Sequence, residues 1–191
     1  MIEPPGRRER KKAATRQKIA DTALRLFLER GYDAVGIRDV AAEADVAVTT
    51  VFSHFASKEA LVFERDQDFE QRLLRAVTDR APHERLVPAL RREIRALVRH
   101  CTAEGTAPVR RMIEGSPALC QYEESMQLRH AQALASALAA DPHLSRSVTA
   151  CQATARFTID AYALACRAAD PGATVDEVFR MIEAAWEATT P

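Results

Sequence analysis

The densest group of side chains able to do chemistry lies between positions 47 and 58, where Thr49, Thr50 and Ser53 carry short hydroxyls and His54 and Lys58 carry nitrogen donors. A helix that enters a major groove needs small or polar side chains at base edges, apolar ones where it packs back, and donors for phosphates at its margins. Residues 47–58 meet that need: the hydroxyls can read, Val51 and Phe55 can face a core, and His54 and Lys58 can donate to flanking phosphates. Arg38, further upstream, can reach a phosphate or a guanine edge. The same hydroxyls would equally serve a solvated turn, so the elements around them must decide.

Other chemistries are not supported by spacing. No nucleophile stands beside a base, no carboxylates are paired, and His100-Cys101 is the nearest approach to a reactive pair. Neighbours on a helix point about 100° apart, so these two do not form a thiolate couple. Cys101, Cys120, Cys151 and Cys166 are widely spaced within helical patterns and read as small buried hydrophobes, while His100, His130 and His143 have no metal-ligand spacing. We therefore expect no enzyme activity, no catalytic residue, no metal and no cofactor. No run of about 18 apolar residues or signal-peptide pattern is present, which predicts a cytoplasmic protein without a membrane partner.

The positioning elements read as helices throughout. The composition is 47% hydrophobic with six glycines, and the formal net charge is zero. That balance conceals an asymmetry, since Arg7, Arg8, Arg10, Lys11, Lys12, Arg16 and Lys18 crowd the start. Residues 1–12 are expected to be a mobile basic arm. Helical periods then run over 13–30, closed by Gly31, over a short stretch containing Ile37, Val40, Ala41 and Ala44, and over 48–52. Only Asp45, Val46 and Ala47 separate the last two, the spacing of a helix-turn-helix. A helix capped by Ser57 should carry Leu61, Phe69, Leu73 and Val77, and further helices are predicted to Cys101, around 109–113, over 117–140, over 145–169 and over 175–188 with a Thr174/Glu177 capping box. The fold class is all-α, with about nine helices and no strand.

Five motifs then occur in order: Thr15-Arg16-x-x-Ile19, Ala23-x-x-Leu26-Phe27, Gly31-Tyr32, Arg38-Asp39-Val40-Ala41 and Val51-Phe52-x-His54-Phe55-x-Ser57-Lys58-Glu59. Over residues 13–62 the chain resembles the DNA-binding domain of TetR family transcriptional regulators. The resemblance implies a helix-turn-helix domain over 13–60, a ligand-sensing and dimerisation domain over 61–191, and a homodimeric repressor that leaves a quasi-palindromic operator when a small ligand binds. It carries Thr15, Arg38, Thr49, Thr50, His54 and Lys58 onto positions that commonly touch DNA; Val48 and Ser53 complete the candidate set. Three residues depart from the family pattern. Asp45 replaces a turn glycine, Ala47 replaces a serine cap, and Phe52 replaces a tyrosine whose hydroxyl would meet a phosphate; its ring is expected to pack. The basic arm is read as an electrostatic clamp feeding the minor groove.

Beyond residue 62 the resemblance is architectural. Residues 145–169 are apolar or small nearly all round, which requires burial on two sides. With the last helix they resemble a dimer-forming pair, and Phe157, Leu164, Phe179, Ile182 and Trp186 are the expected interface. Met112, Cys120, Tyr122, Met126 and Phe157 are candidates to line a pocket for a small apolar or acyl-like ligand, with Arg91, Arg92, Arg95, Arg99, Arg110 and Arg111 able to draw an acidic head to its mouth; core packing and solvated helix faces explain both sets as well. The alternatives to a ligand-released repressor are a helical protein-interaction adaptor and a DNA-binding activator without small-molecule control.

Overall fold

The computed structural model describes residues 6–64, 67–81 and 83–189, and among them it contains nine α-helices, one 3-10 turn and no strand. Two compact units divide the chain: the first takes in positions up to 66 together with Pro108–Cys120, and the second takes in Gln67–Ala107 and Gln121–Pro191.

In the first unit, α1 (Arg7–Arg30) packs on α2 (Ile37–Glu43), which packs on α3 (Val48–His54). Ile19, Ala23, Leu26 and Phe27 recur at helical spacing on α1 and are buried. Gly31, at φ +90°, ends α1 with its amide on the Phe27 carbonyl, a conformation that side chains bearing a Cβ rarely adopt. α2 begins where the Gly36 amide donates to Asp39 Oδ2 at 2.7 Å. Asp45 takes the left-handed conformation (φ +52°) that the tight turn requires, as its short polar side chain permits. α6 (Ala107–Glu114) and the start of α7 (Pro117–Ala140) supply Ile113 and Leu119 as buried residues.

The second unit packs α4 (Gln67–Thr78) on α5 (Leu86–Cys101), α5 on α8 (Val148–Ala165) and α9 (Pro171–Ala188), and α8 on α9. Its core includes Phe69, Leu90, Ile94, Leu134, Leu138, Ile159 and Phe179. Alanines at 155, 161 and 165 are fully buried and let neighbouring helices approach closely, while the buried Thr158 hydroxyl donates to the Thr154 carbonyl at 2.8 Å. Arg91 and Arg95 of α5 both donate to Asp176 of α9.

Four boundaries differ from the sequence expectation. α1 starts at Arg7, so residues 7–12 are helical and do not form a separate arm; Glu9 accepts the Gly6 amide at 3.2 Å, and Arg and Lys are good helix formers. Residues 1–5 of the expected arm lie outside the described residues. The helix expected from Ser57 is divided: Ser57 Oγ accepts the Ala60 amide at 3.4 Å, but it opens only the 3-10 turn Glu59–Leu61, and α4 starts at Gln67. α8 begins at Val148 because Ser147 is its cap, with Oγ accepting from Ala150. α9 begins at Pro171 because Asp170 caps it and proline suits a first turn, so Thr174 donates its hydroxyl to the Asp170 carbonyl and does not cap.

A buried ion pair lies in the second unit where α4 and α7 end. Arg80 Nη2 donates to Asp141 Oδ2 at 3.0 Å, with side chains only 8% and 10% exposed. Burial pushes the Asp141 carboxyl up, but bonds from the His143 amide and Arg80 outweigh it and hold the group below the ordinary carboxylate range. The folded-state pKa is depressed, so the pair stabilises the fold above the ordinary carboxylate pKa, and the stabilisation is lost as pH falls through the depressed value. Asp141→Asn leaves Arg80 uncompensated and is expected to cost about 3 kcal/mol in denaturant unfolding at neutral pH. The gap to the wild type should close on acidification; a pH-independent gap would refute the ionic origin.

Candidate nucleic-acid interface

α3 is seven residues long, and its two faces follow from its sequence. Val51 and Phe55, one turn apart, are fully buried, so Thr49, Phe52 and Ser53 are turned outward and exposed. Ser53 Oγ donates back to the Thr50 carbonyl at 2.7 Å, which fixes that hydroxyl with its lone pairs free to accept. Val48, Thr50 and His54 are partly buried at the edges of the face. Ala47 makes no side-chain cap, as its missing hydroxyl requires.

Phe52 corrects the sequence reading: the ring expected to pack is 55% exposed on the same face as Thr49 and Ser53. The tyrosine hydroxyl is absent, but the apolar body remains available to a thymine methyl or a sugar. Arg38 is exposed in the first turn of α2, and Thr15 is partly buried on α1.

Lys58 does not extend freely outward. Its ammonium donates to the Tyr32 carbonyl at 2.6 Å and sits 4.0 Å from the centre of the Tyr32 ring. Tyr32 in turn donates its hydroxyl to Glu59 at 3.0 Å and meets Phe27 edge-on at 5.1 Å. Burial and the bond to Glu59 push the Tyr32 phenol well above its ordinary value, so it stays a donor. Lys58 thus braces the turn after α1 against the segment after α3. His54 Nδ1 is buried and has no hydrogen-bond partner.

Arg16 belongs to this site although its individual role was not legible in the sequence. Its guanidinium donates through Nη1 to the His54 carbonyl and through Nε and Nη2 to the Glu64 carboxylate at 2.7 and 2.5 Å, and it stacks 4.2 Å from the centre of the Phe55 ring. The partner, Glu64, lies 48 positions away, beyond any local pattern.

The remaining candidates are dispersed. Met112 on α6 and Cys120 on α7 belong to the first unit, where the Cys120 thiol donates to the Ile113 carbonyl at 3.2 Å. Tyr122, Met126 and Phe157 belong to the second, and Phe157 is 49% exposed on α8, a surface position unlike that of a residue enclosed in a pocket. Two open clefts of about 370 and about 410 Å³ in the second unit include none of these five residues. Arg91 and Arg95 are spent on Asp176, and Arg92 on Glu84, so they form no open cationic mouth. At the expected dimer face, Phe157 and Leu164 are exposed, but Phe179, Ile182 and Trp186 are buried in the protomer's own core, because α9 uses that stripe to pack on α5 and α8. Met181 of α9, at 65% exposed, is an outward apolar residue that the sequence reading did not place at this face. Among the described residues no group of three or more His, Cys, Asp or Glu could hold a metal, and no helix is long and apolar enough to cross a membrane.

Two short helices packed beneath a long one, a left-handed turn residue and an outward polar face define a helix-turn-helix module of the DNA-binding regulator class. Residues 19–64 match the model for bacterial regulatory proteins of the tetR family. The HTH-type transcriptional regulator TcmR of Streptomyces glaucescens is 32% identical over 143 residues, covering 69% of this chain and 63% of TcmR. The repressor KstR of Mycolicibacterium smegmatis is 41% identical over 78 residues, covering 37% of each chain. The matches thus span less than two thirds of these relatives' own length. The fold is shared with the TetR family repressor AlkX of Dietzia sp. (TM-score 0.61, 18% identity, 91% of this chain and 98% of that one). It is shared too with SmeT in its triclosan complex (TM-score 0.57, 20% identity, 92% and 90%). Over residues 19–64 the chain thus carries the DNA-binding domain of the tetR family of bacterial regulatory proteins. The relatives are transcriptional regulators, not enzymes.

Because α3 lacks a side-chain cap, Ala47→Ser is expected to raise stability by about 0.5 to 2 kcal/mol in denaturant unfolding. No gain in midpoint would mean that the first-turn amides are already satisfied.

Proposed function

We propose that the protein is a sequence-specific transcriptional regulator, acting as a homodimeric repressor on a quasi-palindromic operator in the cytoplasm. The observation that carries this reading is the outward face of α3, where Thr49, Phe52 and Ser53 stand clear of a helix whose opposite side is anchored by Val51 and Phe55. Thr49, Thr50 and Ser53 hydrogen-bond base edges, Phe52 contributes apolar contact, and Arg38, Thr15 and His54 meet the backbone or adjoining bases. Lys58 acts mainly from within, through Tyr32. The basic residues of 7–12, carried on α1, follow the phosphate backbone; a helix is too wide for the roughly 6 Å minor groove.

Two reading heads require two copies. Phe157, Leu164 and Met181 on α8 and α9 supply exposed apolar residues suited to a second copy of the chain. The releasing ligand is small and largely apolar. The reading draws on the triclosan held by SmeT and on AlkX, implicated in n-alkane biodegradation, and needs only about 1 to 3 kcal/mol of coupling. An acyl and alkyl panel titrated against free and operator-bound protein tests it, and equal affinity for the two forms would remove the release mechanism.

The main experiment selects duplexes from a random pool with the full-length protein and measures affinity against salt. Thr49→Ala and Phe52→Ala are expected to change sequence preference by about 1 to 3 kcal/mol per base contact with the salt slope unchanged. Removing the positive charge of Arg8 and Lys12 together should lower affinity on all sequences and flatten the slope by up to about 1.8. In sedimentation, Phe157→Glu with Leu164→Glu should give folded monomers, whereas Trp186→Glu should unfold the protomer. A wild-type protein that binds no duplex more tightly than random DNA would sink the reading.

A further inference from the structure

We propose that Arg16 is the positioning residue of the reading helix: it holds the C-terminal end of α3 in its binding orientation from within the protein, and Glu64 holds Arg16. The inference rests on the DNA-binding reading above.

α3 cannot order itself. Seven residues are far fewer than a helix needs to persist alone, and its first turn has no side-chain cap. At its other end the unpaired carbonyls carry the negative pole of the helix dipole. Arg16 answers both needs, because its guanidinium donates to the carbonyl of His54, the last residue of α3, and brings a positive charge to that pole. The adjoining Phe55 ring lies 4.2 Å below the guanidinium centre and is itself only 2% exposed.

The orientation of the guanidinium is fixed from its far side. Glu64 accepts from Nε and Nη2 at 2.7 and 2.5 Å, a two-point contact that sets the guanidinium plane as well as its position. The Glu64 side chain is only 11% exposed, so the pairing is largely removed from water. All three guanidinium nitrogens are therefore engaged inside the protein, one on α3 and two on Glu64. Arg16 thus sits in the basic N-terminal segment without acting as one of its phosphate anchors. A lysine could not replace it, since a point charge with three rotatable donors cannot grip a carboxylate at two points and stack on a ring at once.

Positioning and phosphate contact predict opposite signs for one variant. If Arg16 touched a phosphate, Glu64→Gln would remove a competing negative charge and tighten DNA binding. If Arg16 positions α3, Glu64→Gln frees the guanidinium and weakens binding. The test uses full-length wild type, Arg16→Ala, Arg16→Lys and Glu64→Gln on a duplex selected by the wild type, with anisotropy across a salt series. We expect Arg16→Ala and Arg16→Lys to lose about tenfold or more in affinity, the scale of one charge-assisted hydrogen bond. Glu64→Gln should weaken binding in the same direction, and all three should keep the wild-type salt slope. Hydrogen exchange should show lost protection at 51–55 with protection kept at 19–27, which separates a loosened α3 from an unfolded unit. If Arg16→Ala does not fold, Glu64→Gln decides. Tighter binding by Glu64→Gln, a slope reduced by about 0.9 in Arg16→Ala, or full affinity in Arg16→Lys would each overturn the proposal. A wild type that selects no duplex instead defeats the underlying DNA-binding reading.

Discussion

A helix meant to reach into a groove must be short and must leave much of its surface free, and both demands remove what normally stabilises a helix. α3 meets the demand with seven residues, buries Val51 within its length and Phe55 just beyond it, and does without an N-terminal side-chain cap. Nucleation alone makes such a segment unstable in isolation. Its order must come from contacts made by other parts of the chain, and much of the first unit's design follows from that constraint. α1 is long and carries its own apolar stripe, α2 lies between α1 and α3, and the turn at Asp45 adopts the left-handed geometry that lets α3 fold back.

Charged side chains that composition alone would assign to a ligand surface serve this bracing. Lys58 and Arg16 point inward onto carbonyls and rings, and Arg25 pairs with Glu29 and Glu43 on the exposed side of α1 and α2. A buried or half-buried cation is favourable only where donors are matched, and in both inward cases the match is to a backbone carbonyl and an aromatic face, with a carboxylate added for Arg16. The basic surface that remains includes Arg7, Arg8, Arg10, Lys11, Lys12 and Lys18 on α1 and Arg38 on α2, all exposed.

The second unit solves a different problem. α8 is small or apolar nearly all round, and one side of it disappears against α5 and α9 through Ala155, Ile159, Ala161 and Ala165. The opposite side keeps Phe157 and Leu164 in solvent, and Val148 is exposed at the first turn of the helix. α9 is more one-sided: its large residues Phe179, Ile182 and Trp186 go to the protomer core, and Met181 stands out. The division of labour between own core and outward face is thus set by α8 more than by α9.

By itself, the sequence determined the helical class, the three-helix reading module, the turn position of Asp45 and the missing cap at Ala47, because each rests on a period or a local backbone preference within a few residues. It also specified which side of α3 could be buried, since Val51 and the adjoining Phe55 are one turn apart. Helix starts at Val148 and Pro171 escaped it, because competing caps about one turn apart differ by little energy and the neighbouring helices choose among them, whereas the starts at Arg7 and Gln67 lie more than one turn from those expected. Only tertiary structure decided which apolar residues of α9 face inward, whether Phe52 packs or protrudes, and where Lys58 and Arg16 spend their charge. Those outcomes depend on partners 26 to 48 positions away in the charged cases, and a pairing over that distance leaves no periodic trace in the chain.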